Sequence, residues 1–247
     1  MEIAEHVAAL RQDGELMAKA AAAVAPDAAI PTCPEWTMRD LVLHQGQVHR
    51  WATANVATPS TAPADAGKAT GPAPEDAGLV EWFRVGCHTL IDTLERADPD
   101  VQCWTFMAAP TPLAFWARRQ CHETGIHRAD AESASGSIAA FSPPVAADGI
   151  DELLTGFITR PGGRLRSDSL RTLLVRATDT NDDDWLVRIA DTVETERAGG
   201  PADCTLSGSA SDLHLFLWNR AGLDSIVVDG DPSLLRVWRD SVTIRWR

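Results

Sequence analysis

Apolar side chains recur at helical spacing through the first half of the chain and at strand spacing in its last third, a pattern that predicts an α+β protein with a helical amino-terminal part. Ile3, Val7, Leu10 and Leu16, followed by alanines, predict a helix from Ile3 to Val24, ended by the prolines at 26 and 31. A second helix is expected to start at Thr37, whose hydroxyl can cap the amides ahead of Met38-Arg39-Asp40, and to run to Val56. Residues 57–77 are rich in Ala, Pro, Thr and Gly and read as a long loop over the surface or over a site. A third helix is predicted from Glu75 to Ala97 and a fourth from Thr111 to Ala134, opened by Pro112 where a missing amide proton costs nothing. Four helices of this length predict a four-helix bundle.

A fifth helix is expected around Asp148 to Phe157, leading to Pro161-Gly162-Gly163, where the domain boundary is drawn: a helical bundle over residues 1–160 and a small α+β domain over 161–247. Leu170–Ala177 and Trp185–Val193, rich in β-branched and apolar residues, flank the turn-like run Asp179-Thr180-Asn181-Asp182-Asp183-Asp184 and predict a hairpin. Further strands are expected at Asp203–Leu206, Ile226–Val228 and Val242–Trp246. A helix is expected from Ser211 to Arg220, and another starting with Asp231 as cap and Pro232 as first helical residue.

Composition narrows the chemistry. A formal charge of −13 disfavours nucleic acid as the partner, because phosphate backbones are bound by clustered Lys and Arg. The amino terminus lacks the basic and apolar regions of a signal peptide, and no apolar run approaches the roughly 20 residues that span a bilayer, so a cytoplasmic protein without membrane contact is expected. Cys33, Cys87, Cys103, Cys121 and Cys204 are scattered, with no Cys-x-x-Cys pair, and read as reduced, packed thiols. Nine Trp and no Tyr point to aromatic core filling.

On the fourth helix, at about 100° per residue, Trp116, Arg119, Gln120, Glu123, His127 and Asp130 fall in one stripe. Glu123 and His127 are one turn apart and can converge on one ion. Asp130 is placed to orient a ligating imidazole, and Arg119 to pair with Glu123 or receive an anionic substrate. The competing reading is a solvated charged face with an Arg119–Glu123 helix salt bridge. On the second helix, His44 interrupts an apolar stripe of Leu41, Val48 and Trp51; a lone buried His is more often a satisfied core residue, so His44 becomes a ligand only with partners nearby. His49 and His88 are expected at the surface. His6, His122 and His214 are weak ligand candidates by position. Two His and one carboxylate suit a divalent metal, zinc first, with a position left open for chemistry, although iron, nickel and manganese accept the same donors. There is no Gly-rich phosphate loop, Gly-x-Ser-x-Gly elbow or His-Glu-x-x-His motif.

The segments Cys33-Pro34-Glu35-Trp36-Thr37-Met38-Arg39-Asp40-Leu41-Val42-Leu43-His44 and Trp116-Ala117-Arg118-Arg119-Gln120-Cys121-His122-Glu123-Thr124-Gly125-Ile126-His127-Arg128-Ala129-Asp130 resemble the mycothiol-dependent maleylpyruvate isomerase family. The resemblance extends over nearly the whole chain and departs at Glu35, where many relatives carry Gly. It implies a DinB-like four-helix bundle, followed by an α+β domain similar to sterol carrier proteins and matched by Asp203–Trp246. It also implies zinc ligands at His44, Glu123 and His127.

The resemblance further implies mycothiol, the sugar-linked thiol of actinobacteria, as a cosubstrate acting on a small electrophile. A coordinated dication favours thiolate over thiol; attack followed by rotation and expulsion gives isomerisation, and retention of the sulfur gives a thiol S-transferase. Arg119 is the candidate for a substrate carboxylate or for a partner that supports the ligands from behind. Two other readings stay open at this point: a metal-dependent hydrolase using bound water, and a non-catalytic protein that binds or sequesters a small molecule.

Overall fold

Side-chain caps set where the bundle helices begin. In the computed structural model, which describes residues 1–181 and 183–242, helix α1 (Ile3–Ala22) opens on Glu2 and α2 (Met38–Ala57) on Thr37. The Thr37 hydroxyl accepts from the Asp40 amide while the Asp40 carboxylate accepts from the Thr37 amide at 2.9 Å, a reciprocal pair that satisfies two otherwise orphaned donors. The carboxyl of Asp40 is lowered below its usual range by its hydrogen bonds from Thr37. The 57–77 loop holds one short helix not expected from the sequence, α3 (Ala66–Thr70), capped by Asp65. Its approach is tied to α2 by Trp51 Nε1 donating to the Ala64 carbonyl and by the Ala64 amide donating to Asn55. Helix α4 (Asp76–Arg96) follows, and α5 (Pro112–Ser133) starts from Thr111, whose hydroxyl accepts from the Ala114 amide.

The four long helices form the first compact unit, Met1–Ala139. Helix α1 packs on α4 and α5, and α2 also packs on α4 and α5, so the helices make a closed ring around one interior. Leu10, Ala52, Leu90, Ile91, Leu94 and Trp116 form one part of the core, and Met17, Ile30, Leu41 and Phe83 another. Glycine permits the closest helix approach on α2: a Cβ on Gly46 would sit 2.2 Å from the Trp82 ring, which itself lies under the Arg50 guanidinium at 3.7 Å.

The second unit runs from Ala140 onward. It opens with α6 (Pro143–Asp151), earlier than the expected start near Asp148, because Pro143 and Pro144 occupy first-turn positions that need no amide donor. The helix continues as a π-helical turn, Glu152–Phe157. The sheet has strands β1 (Arg171–Ala177), β2 (Asp184–Ile189), β3 (Val193–Glu196), β4 (Cys204–Gly208) and β5 (Val227–Gly230) in the order β3-β2-β1-β4-β5. Among the described strands only the β1–β4 pair is parallel. Leu173 and Val175 pair across with Val187 and Trp185 on one side and with Cys204 and Leu206 on the other, so one face of the sheet is continuously apolar. Helix α7 (Ala210–Leu217), capped by Ser209, packs on β1 and β4 as well as on α6.

The predicted hairpin forms, but its second strand ends at Ile189, and Val193 starts β3 after a turn closed by Ala190 donating to Thr192. Helix α8 (Ser233–Ser241) begins one residue later than expected, with Pro232 at the cap position and Asp231 accepting from the Ser233 amide. The expected strand Val242–Trp246 lies, beyond Val242, outside the described residues. Pro161-Gly162-Gly163 is a turn inside the second unit, with Gly162 at φ 81°, whereas the compact units meet at Ala139 and Ala140 rather than after residue 160. The physical reason is that α6 buries its apolar side against α7. The chain is thus α+β. Four of the five cysteines are buried and Cys33 is half-buried, and among the described residues no helix is long and apolar enough to cross a membrane.

Candidate metal centre

Helix α5 is not a solvated face: 18 of its 22 residues are buried, including Arg119, Glu123, His127 and Asp130. Charged groups at such positions persist only when compensated, and these four are paired along the helix. Arg119 Nη2 donates to Glu123 Oε2 at 2.7 Å, and His127 Nδ1 lies 2.9 Å from Asp130 Oδ2. Asp130 is held in turn by the Thr32 hydroxyl, which donates to its Oδ1 at 2.6 Å. Because α2 packs on α5, His44 reaches the same point from across the bundle.

His44 Nε2 lies 3.7 Å from Glu123 Oε1, and His127 Nε2 lies 3.5 Å from that same oxygen. One donor atom from each of the three residues falls within 4.8 Å of the others. Four ligands held at about 2.1 Å in a tetrahedron stand about 3.4 Å apart, so this spacing matches a zinc-sized ion. His44 Nε2 and Glu123 Oε1 are buried and have no hydrogen-bond partner among the described residues, an unfavourable state for an imidazole nitrogen and a carboxylate oxygen unless something else is bound there. The donor set therefore fits a divalent cation, with His44 and Glu123 supplying the unpartnered atoms and His127 the third.

The electrostatics agree with this division of labour. Burial opposes ionisation of Glu123, yet the Arg119 guanidinium and the two imidazoles hold its carboxyl well below the usual range. Burial likewise opposes protonation of His127, but Asp130 and Glu123 outweigh it and raise the imidazole to about 9. Binding a cation through Nε2 must therefore displace a proton, while Asp130 keeps Nδ1 engaged and the ring oriented. Arg119 is 1% exposed and pairs with Glu123.

Trp36 closes one side. A turn with the Trp36 amide donating to the Cys33 carbonyl at 2.9 Å sets its ring 4.9 Å from His44 and 5.9 Å from His127, nearly parallel to the latter. The side chain of His44 is 19% exposed against 6% for Glu123 and 9% for His127, so His44 is the least covered of the three, although its Nε2 is buried.

His49, expected at the surface, is fully buried. It lies beside Phe83 and Thr124 because α2 is covered by α4 and α5 on adjacent sides. Burial and the neighbouring Arg50 lower its pKa to about 3, so it is neutral. His88 is exposed beside Glu15, as expected. His6 and His122 meet edge to face within the bundle, and His214 is buried against Phe141. Sequence reasoning passed over Thr32, Gln45, His49 and Thr124 as partners of this region. The i,i+4 pair Gln45 and His49 was the one signal available for them, since Thr32 lies in a loop with no periodicity.

A bundle that turns two imidazoles and a carboxylate from two helices toward one point defines a helical-bundle protein with a candidate three-donor metal centre. The sequence matches the family model described as the mycothiol maleylpyruvate isomerase N-terminal domain over residues 6–132, and the one described as the MDMPI C-terminal domain over residues 144–236. The chain belongs to the mycothiol maleylpyruvate isomerase family, a family of enzymes. Two solved structures are similar in fold: the mycothiol-dependent maleylpyruvate isomerase and a His-to-Ala mutant of it. They are 14% and 15% identical, each with a TM-score of 0.62 over 92% of this chain and 93% of the other. Comparison with curated proteins gave no match.

Proposed function

We propose that this chain is a metal- and mycothiol-dependent isomerase or thiol S-transferase acting on a small electrophile, with His44, Glu123 and His127 as the metal ligands. The observation that carries the reading is the pair of buried, unpartnered atoms, His44 Nε2 and Glu123 Oε1, converging with His127 Nε2. Family membership supports the thiol as cosubstrate and maleylpyruvate or a related unsaturated acid as substrate.

A zinc-type dication held by His44, Glu123 and His127 would supply Lewis acidity that favours thiolate over thiol at neutral pH. The protein's own groups prepare for that. Among the described residues Arg119 pairs with Glu123 and Asp130 faces His127, so carboxylate charge stands beside the donor atoms that would hold a cation. Asp130 and Thr32 keep His127 in the tautomer that exposes Nε2. Trp36 lies against both imidazoles and covers one flank of the cluster. Arg119, buried and paired, is assigned to holding Glu123 ionised.

The test is turnover of maleylpyruvate by zinc-loaded protein with and without mycothiol. Conversion only with the thiol, and its loss in folded His44→Ala and His127→Ala variants, is expected. Equal turnover without thiol, or full activity in both variants, overturns the proposal.

A further inference from the structure

Three buried polar side chains outside the donor set form a closed triangle between the two helices that carry it. Gln45 Nε2 donates to Thr124 Oγ1 at 3.0 Å, and His49 Nε2 lies 2.9 Å from that hydroxyl and 2.9 Å from Gln45 Nε2. All three residues are 0% exposed. Gln45 directly follows His44 on α2, and Thr124 directly follows Glu123 on α5. At about 100° per residue the triangle lies beside the donor cluster, one position round on each helix.

Stability alone gives a weak account of this arrangement. Gln45 Oε1 and His49 Nδ1 stay buried without a hydrogen-bond partner among the described residues, so apolar side chains of similar volume would fill the space at lower cost. What the triangle adds, and an apolar contact does not, is direction. Two hydrogen bonds converging on one hydroxyl fix both the separation and the axial register of α2 against α5 to within the narrow range that hydrogen bonds allow. That register decides whether His44 Nε2 stands 3.7 Å from Glu123 Oε1 or slides away along the helix.

We infer that Gln45, His49 and Thr124 are positioning residues that hold α2 and α5 in the register at which His44 meets Glu123 and His127 at metal-ligand separation. The inference rests on the metal reading above. Thr124→Val keeps the side-chain shape and removes both bonds to the hydroxyl; Thr124→Ser keeps them; Gln45→Met removes the amide donor from the other helix. Leu94→Ala, in the core around Leu10 and Trp116, is the control for loss of bundle stability without loss of the triangle.

Zinc affinity is measured by chelator competition, and site geometry by the visible spectrum of the cobalt-loaded protein. Thr124→Val and Gln45→Met are expected to weaken zinc by about tenfold, the lower end of what losing a direct hydrogen-bond partner of a metal ligand costs, and to shift the cobalt bands. Together they should weaken it by less than the product of their separate effects, because they share a bond. Thr124→Ser and Leu94→Ala should bind as wild type does. Wild-type affinity and spectrum in both Thr124→Val and Gln45→Met overturn the inference, and so does an equal loss in Leu94→Ala. A wild type that binds no zinc instead overturns the metal reading on which it rests.

Discussion

Replacing Arg119 by Met tests how charge is balanced inside α5. Arg119 and Glu123 are 1% and 4% exposed and meet at 2.7 Å, so the substitution keeps most of the buried volume and leaves a carboxylate without its main counter-charge. Removing one partner of a buried pair destabilises by about 3–5 kcal/mol. The nearby His127 Nε2, 3.5 Å from Glu123, offsets part of that and points to the lower end. For chains of this size each kcal/mol moves the melting temperature by about 2–4 °C, so a fall of at least about 6 °C is expected in the presence of a chelator. Zinc should then raise the melting temperature of Arg119→Met by more than that of wild type, because a dication beside Glu123 replaces the lost positive charge. Calorimetry of both proteins, with chelator and with excess zinc, decides the matter. A variant that melts within about 2 °C of wild type in chelator, or identical zinc increments in the two proteins, refutes the reasoning.

Two buried groups, Asp13 and His127, give pH effects. Burial raises Asp13 from 3.8 to about 6 against the pull of Arg128, so the folded state holds this proton more tightly than the unfolded one. Its contribution to stability is present below about pH 4 and is lost as pH rises through 6, an effect on the order of 3 kcal/mol. Asp13→Asn should flatten denaturant-derived stability across that window, and an unchanged slope would count against the assignment. His127, raised from 6.5 to about 9 in the metal-free protein, must lose its proton on ligation, so zinc binding near neutral pH should release close to one proton and tighten with rising pH up to about 9. The same raised pKa makes the metal-free fold lose stability as pH climbs from about 6.5 through 9. Titration calorimetry in buffers of different ionisation enthalpy measures the proton, and an apparent enthalpy independent of buffer would contradict the account.

The helices were legible because their caps and periodicity agree: Thr37, Thr111 and the apolar positions of α4 lead to the same boundaries that the structure has, within a residue or two. The residues of the candidate centre were legible as well, since Glu123 and His127 are one turn apart and His44 interrupts an apolar stripe. Burial was not. A helix whose charges pair with one another, as Arg119 does with Glu123 and His127 with Asp130, can be buried while its sequence reads as a wet face. His49 was misplaced for a related reason: periodicity identifies one covered side of α2, whereas two neighbouring helices cover two. The π-helical turn at Glu152–Phe157 and the split between β2 and β3 depend on packing and on turn closure that no local pattern encodes. Thr32 and Trp36 reach the centre from a loop, where spacing carries no information about direction.

The central claim is that His44, Glu123 and His127 hold one divalent metal. The most direct measurement is elemental mass spectrometry of protein purified from metal-replete cells, beside a His44→Ala, His127→Ala double variant shown by circular dichroism to be folded. Close to one zinc-type ion per wild-type chain, lost from the variant, is the predicted result; a folded wild type free of metal, or a variant that retains it, would contradict the account.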